Sequence, residues 1–224
     1  MQFITCNDAR EGTEKFTDRL MQELQAGKKV LWLVCGGSNI AAEAEIMKRI
    51  PPELSANLAI TLTDERYGEP GHKDSNWRQL QDAGFDFKQA TSLPVLQSGQ
   101  SLEETAQNYD KMARQAFAGN DIVIALFGIG ADGHIAGVLP DSPAAAENDM
   151  WAAGYQAGQL TRITLTFPAL KQIDAAYAFA FGEAKKEALT QLQNETIELE
   201  RQPSQILKYL PEAYLYSDQV GETT

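Results

Sequence analysis

Reactive side chains are scarce in this 224-residue chain, which carries two cysteines and two histidines. Cys6 and Cys35 show no metal-ligand spacing. A disulfide framework and a cysteine metal site are therefore not indicated, and a reducing cytoplasm is the expected compartment. No other metal or cofactor signature stands out. Cations are short too: 19 Lys and Arg against 31 Asp and Glu give a net charge of -12. Nucleic acid and anionic membranes need clustered Lys and Arg, so neither is expected as a partner. A small anion stays open, since a few local cations and backbone amides outweigh a distant net charge. No apolar run approaches the roughly 20 residues of a membrane span, and residues 1–10 lack the apolar core of a signal peptide. Repeats, low-complexity tracts and obvious linkers are also missing. The 43% of hydrophobic residues suffices for an ordinary core. The length suits one domain over 1–224, as a monomer or small homo-oligomer.

The most informative stretch is 121–140, DIVIALFGIGADGHIAGVLP. Ile122 to Phe127 is unbroken apolar sequence, rich in β-branched residues, and reads as a strand buried on both faces. A glycine-rich turn follows, with Asp132 and His134. In a parallel sheet, chemistry collects just past the carboxyl ends of the strands.

The rest of the chain alternates strands and helices. Strands are predicted at 1–5, 30–34, 58–63, 92–97, 162–166, 175–181 and 213–216. Helices are predicted at 8–26, 40–50, 76–83, 101–117, 167–172, 183–193 and 203–210. Ser101 with Glu104 carries a capping pattern. Pro51 with Pro52, and Pro140 with Pro143, forbid continued helix. The alternation implies an α/β fold, a mostly parallel sheet covered by helices on both faces.

Three loops fall after predicted strands. Gly36-Gly37-Ser38-Asn39 precedes a helix, where free amides and the helix dipole suit a phosphate; simple capping by Ser38 or Asn39 is the alternative. Asp64-Glu65-Arg66, with Ser75-Asn76 soon after, offers an arginine for a forked anion contact, or else a charge cluster bonded to itself. Gly128 to Gly133 fits the dinucleotide pattern G-x-G-x-x-G. However, Asp132 would lie where a pyrophosphate belongs, and the prolines leave no long helix to follow.

Taken together, Gly36-Gly37-Ser38, Asp64-Glu65-Arg66 with Ser75-Asn76, Gly128-x-Gly130-x-Asp132-Gly133-His134, Arg162-Ile163-Thr164 and Gly182-Glu183-x-Lys185 resemble the 6-phosphogluconolactonase family in order and spacing over about 28–218. The resemblance implies a three-layer α/β/α sandwich shared with glucosamine-6-phosphate deaminase. It implies hydrolysis of 6-phospho-D-glucono-1,5-lactone without a cofactor, with His134 as general base oriented by Asp132. Histidine side chains titrate at about 6.5, which suits that task. Arg66, Lys185 and, more weakly, Arg162 would hold the phosphate with Gly36, Gly37 and Ser38. Asn39, Asp64, Asn76 and Gly130 are secondary substrate contacts, and amides of the 128–133 turn are candidate oxyanion donors. The deaminase is the competing reading, but it carries glutamate where this chain has Leu139, and D-E-Y where this chain has Asp64-Glu65-Arg66. A non-catalytic sugar-phosphate-binding protein is the other alternative. The chain departs from the lactonase pattern at Asn39-Ile40, where Thr-Pro is usual, and at Ile135 and Gly137, where hydroxyl residues are usual.

Overall fold

The computed structural model describes residues 1–221. The last three residues of the expected 1–224 unit lie outside the described residues. The apolar runs fold into strands without an exposed face: β2 (Val30–Val34), β6 (Ile122–Phe127) and β9 (Ala175–Phe179) are buried at every residue. Such strands belong inside a parallel sheet with covered faces. With β1 (Gln2–Thr5), β3 (Leu58–Leu62), β5 (Thr91–Ser92) and β10 (Glu212–Ser217) they form a seven-stranded sheet ordered β1-β10-β9-β6-β2-β3-β5. Every pairing in it is parallel.

The crossovers are helical: α1 (Arg10–Gln25), α2 (Ile40–Arg49), α3 (Pro52–Ser55), α4 (Asn76–Asp82), α5 (Leu102–Ala118), α6 (Phe167–Leu170) and α7 (Lys186–Asn194), with a 3-10 segment at Pro203–Tyr209. α1 packs on α2, and α2 on α4. The predicted capping box opens α5, with the Ser101 hydroxyl accepting the Glu104 amide and the Glu104 carboxylate accepting the Ser101 amide. Trp32 of β2 anchors the core, its ring 5.4 Å from Phe16 and 5.5 Å from Phe85.

Strand order places the functional loops. From β2 the chain steps outward to β3 and β5, then returns to β6 on the other side of β2. Two loops that leave adjacent strands in opposite directions open a crevice at the carboxyl edge, the usual ligand position in an open α/β sheet. The loops that flank this crevice are Gly36-Gly37-Ser38 after β2 and the 128–134 turn after β6.

Three expectations are corrected. Of the predicted strand 92–97 only Ser92 pairs, with Thr91 before it, and Pro94 cannot donate to a ladder. Asp64–Arg66 is not a loop but β4, which pairs with β8 (Leu160–Leu165), itself paired with β7 (Ala152–Ala157), in a second, antiparallel sheet. β7 was not predicted at all. It reaches β8 through Gly158-Gln159, with Gly158 at φ +61°, a glycine-first hairpin turn.

Candidate active site

The chain leaves β2 through Gly36 into a 3-10 turn, Gly37–Asn39, that runs on into α2. A Cβ on Gly36 would lie 2.1 Å from Asn76 Oδ1, and Gly37 takes φ +73°, so both positions demand glycine. Amides of a first helical turn have no carbonyl behind them, and the helix dipole adds positive potential. No side-chain cap forms at either start, so the simple capping alternative is not realised. Asn39 departs from its expected place as a substrate contact. It is only 4% exposed, and its Nδ2 donates into the protein, to Phe127 O at 2.9 Å and Phe179 O at 3.4 Å.

Below this loop, the Cys35 amide donates to Glu43 Oε1 at 2.6 Å. Complete burial raises the Glu43 carboxyl well above the ordinary carboxylate range. Burial also raises the Cys35 thiol, with Glu43 and Asp64 adding to it. Cys35 is thus an inert buried thiol, although it touches the cleft. Glu43 escaped the sequence reading. Its signal was an acid on the buried face of α2, one helical turn after Asn39.

Across the crevice, Arg66 of β4 and Arg162 of β8 are direct cross-strand partners. Like charges so placed repel, which a sheet does not favour unless something offsets them. Asp64 offsets part: its Oδ2 lies 3.5 Å from Arg162 Nη1. Arg66 Nη1 donates to Asp74 O at 2.9 Å, yet Nε of both arginines is buried without a hydrogen-bond partner. Buried, unsatisfied cationic donors are where an incoming anion gains most. Asn76 donates from Nδ2 to Asp64 O at 2.9 Å, and its Oδ1 has no partner. Glu65 faces away from this chemistry. It accepts from Ser75 Oγ and from the amides of Arg66, Asn76 and Trp77, anchoring the start of α4. Burial raises its carboxyl, and those bonds oppose the rise. The second histidine, His72, sets its Nε2 2.9 Å from Arg66 O.

In the turn after β6, His134 Nδ1 lies 2.6 Å from Asp132 Oδ1, which also accepts the His134 amide at 3.1 Å. An ionised carboxylate only accepts, so Nδ1 carries a proton, and in the neutral ring Nε2 is the nitrogen with the lone pair. The bond from His134 lowers the Asp132 carboxyl to about 2, against the opposing effect of partial burial. A Cβ on Gly130 would lie 2.0 Å from His134 Nδ1 and 2.4 Å from Asp132 Oδ1. Gly130 therefore serves the site by leaving room. Its amide donates to His134 O, and that of Gly133 to Gly130 O, both at 3.0 Å. These two amides are engaged in the turn itself and are withdrawn as oxyanion donors.

The departures after His134 do not empty the site. Ile135 is fully buried and bridges to Ile129 and Val138. Gly137 backs onto β8, where a Cβ would come within 2.8 Å of Thr164 Cβ. Its amide donates to Thr164 Oγ1 at 3.0 Å. Between them Ala136 takes φ +52°, a conformation costing a non-glycine residue about 1–2 kcal/mol.

These loops enclose a cleft of about 270 Å³. Every expected site residue lines it except Asn39, which points inward, and Asp132, which stands behind His134. Lys185 arrives from a 3-10 turn, Glu183–Lys185, entered through Gly182 at φ +98°. It has no ion-pair partner among the described residues. Sequence reading missed Ala136 in the lining and took Gly128 and Ile129 only as candidate oxyanion amides; apolar and backbone contributors leave no chemical mark. No group of three or more His, Cys, Asp or Glu gathers as metal ligands among the described residues. No helix among them is long and apolar enough to cross a membrane.

Known proteins share both fold and sequence with this chain. A bovine (Bos taurus) 6-phosphogluconolactonase is 29% identical over 183 residues, covering 75% of this chain and 69% of the relative. A 6-phosphogluconolactonase from Synechocystis sp. is 29% identical over 171 residues, covering 71% and 70%. The solved 6-phosphogluconolactonase of Thermotoga maritima superposes with a TM-score of 0.80 at 20% identity, covering 96% of this chain and 98% of that one. At that identity the likeness speaks for the fold. The model of the family described as glucosamine-6-phosphate isomerases/6-phosphogluconolactonase matches residues 7–214. That span runs from the approach to α1 into β10 and takes in every loop of the cleft, so the chain belongs to this family.

Proposed function

We propose that the chain hydrolyses 6-phospho-D-glucono-1,5-lactone to 6-phosphogluconate, the lactonase step of the pentose phosphate pathway. The observation that carries this reading is the proton arrangement at His134. Nδ1–H is bound to Asp132, and the Nε2 lone pair is free beside a cleft that holds Arg66, Arg162 and Lys185. The relatives' shared name, 6-phosphogluconolactonase, supports it.

A lactone carbonyl is already electrophilic and needs only an activated water. His134 Nε2 takes a proton from that water as its oxygen bonds to C1. Asp132 stabilises the imidazolium that forms. When the bond from C1 to the ring oxygen breaks, Nε2–H returns the proton to that oxygen, and the imidazole is restored. Arg66, Arg162 and Lys185, with the Gly36-Gly37-Ser38 amides, hold the phosphate. Gly130 and Gly133 being engaged, the oxyanion falls to the other amides of the 128–133 turn. Asp64 and Asn76 face the sugar. The chain acts as one domain in the cytoplasm, as a monomer or small homo-oligomer; its two free cysteines suit a reducing compartment.

The deaminase reading finds less support. Leu139 packs against the core where that chemistry would place a carboxylate, and its amide donates to Tyr155 OH. The decisive assay uses freshly prepared lactone. His134→Ala should lower kcat by about 10² to 10⁴, and Arg66→Ala should mainly raise KM. An unaltered rate in His134→Ala removes the histidine from the mechanism. Ammonia release from glucosamine 6-phosphate by the parent chain would overturn the lactonase reading.

A further inference from the structure

We infer that Asn39 is a positioning residue that sets the spacing between the anion-binding loop and the Asp132–His134 turn. The inference rests on the lactonase reading of the cleft. β9, β6 and β2 are neighbours in the sheet, but their ladder bonds end where the strands end. Beyond that edge the three functional segments are separate loops, and an enzyme that grips a phosphate on one and attacks C1 from another needs them in fixed relation.

Asn39 supplies that relation. Its backbone belongs to the glycine loop at the start of α2. Its Nδ2 donates to Phe127 O, at the end of β6, and to Phe179 O, at the end of β9, with Cys35 Sγ a third neighbour at 3.8 Å. Phe127 directly precedes the turn that carries His134, and β9 leads into the turn that carries Lys185. A Cβ on Gly128 would stand 3.5 Å from Asn39 Nδ2, so the amide lies directly under the first residue of the histidine turn. Among uncharged side chains, a primary amide offers two N–H bonds from one atom, whereas a hydroxyl offers one; a carboxylate offers none. Asn39 is 4% exposed and does not line the cleft. Any influence on the reaction must therefore pass through the loops it joins.

The test compares Asn39→Asp, which keeps the shape and loses both donors, Asn39→Thr, which keeps one, and Asn39→Ala. Each is assayed on the lactone, with inorganic phosphate as competitive inhibitor and Tm measured in parallel. A misplacement of about 1 Å costs about 10²-fold in rate. Asn39→Asp and Asn39→Ala are expected to lose roughly 10- to 100-fold in kcat on that scale. Asn39→Thr should fall between them and the parent. The phosphate inhibition constant and the pH profile should hold, because the loop and the imidazole are each intact. Unchanged kcat with a lowered Tm would make the residue merely structural. A phosphate constant that worsens in step with kcat would make it a ligand contact. Both results overturn the inference. Should the parent chain not hydrolyse the lactone at all, the enzymatic reading fails separately, and the imidazole NMR signals decide. The chain has only His72 and His134. Asn39→Ala should move the His134 signals and leave those of His72; neither moving would overturn the inference.

Discussion

Gly130 shows how little tolerance the Asp132–His134 pair has, since even a methyl group there would overlap His134 Nδ1 and Asp132 Oδ1. The pair is therefore held by exclusion as well as by its 2.6 Å bond. Asp132→Asn separates the two roles of the aspartate. The asparagine can still accept Nδ1–H and so keep the ring orientation, but it carries no charge to stabilise the imidazolium. We expect kcat to fall by about 10² or more with KM little changed. A variant with near-parental kcat would mean that orientation alone suffices. This pair could be read from the sequence because Asp, Gly and His follow one another after an apolar strand. The inward turn of Asn39 could not be read, since its acceptors, Phe127 O and Phe179 O, lie far along the chain and are backbone atoms. The hydroxyl departures at Ile135 and Gly137 looked like losses from the site for the same reason: only packing reveals that one faces the core and the other backs onto Thr164.

Among the elements, the buried strands and amphipathic helices were legible because periodicity and burial coincide in them. β4, β7 and the true extent of β5 were not. Asp64–Arg66 is polar and short, and it becomes a strand only by pairing with β8, about a hundred residues away. β7 is built of Ala, Gly, Tyr and Gln, a composition without strand signature, and its one cue was the glycine-first hairpin turn. Long-range contacts also finish α2, whose last carbonyls would otherwise be orphaned. Lys88, itself at φ +52°, donates from Nζ to Met47 O at 2.7 Å, Lys48 O at 3.2 Å and Ile50 O. Lys88→Met keeps the aliphatic stem and removes the cap. It should cost about 1–2 kcal/mol, or roughly 2–8 °C in Tm for a domain of this size. The far end of α2 is remote from the cleft, so activity per folded molecule should hold. Thermal unfolding with an assay on the same samples checks both, and an unchanged Tm would deny Lys88 its capping role.

At the scale of the whole molecule, an acidic chain has gathered three cations at one sheet edge and buried a carboxyl beneath them. That carboxyl, Glu43, makes global stability depend on pH in a definite direction. In the unfolded chain it releases its proton near the ordinary glutamate value of 4.5; in the fold, burial, reinforced by the nearby charge of Asp64, holds the proton to higher pH, and the Cys35 amide opposes this. Above 4.5 the unfolded state thus binds fewer protons than the native state at this site. By linkage, stability is fully present below the unfolded value and declines as pH rises through the folded one. Asp132 acts oppositely: its carboxyl sits at about 2 in the fold, so its contribution is present above the unfolded value and is lost only as pH falls toward 2. The two effects occupy separate windows. Glu43→Gln keeps an acceptor for the Cys35 amide and cannot ionise. It should flatten the decline in Tm between pH 5 and pH 8, raising Tm relative to the parent more at pH 8 than at pH 5, with each kcal/mol worth about 2–4 °C. Because the comparison is between slopes, any fixed packing cost of the amide cancels. Parallel Tm–pH curves for parent and Glu43→Gln would mean that Glu43 is ionised in the fold, and the buried cluster under the glycine loop would then have to accommodate a full negative charge beside the anion it helps to seat.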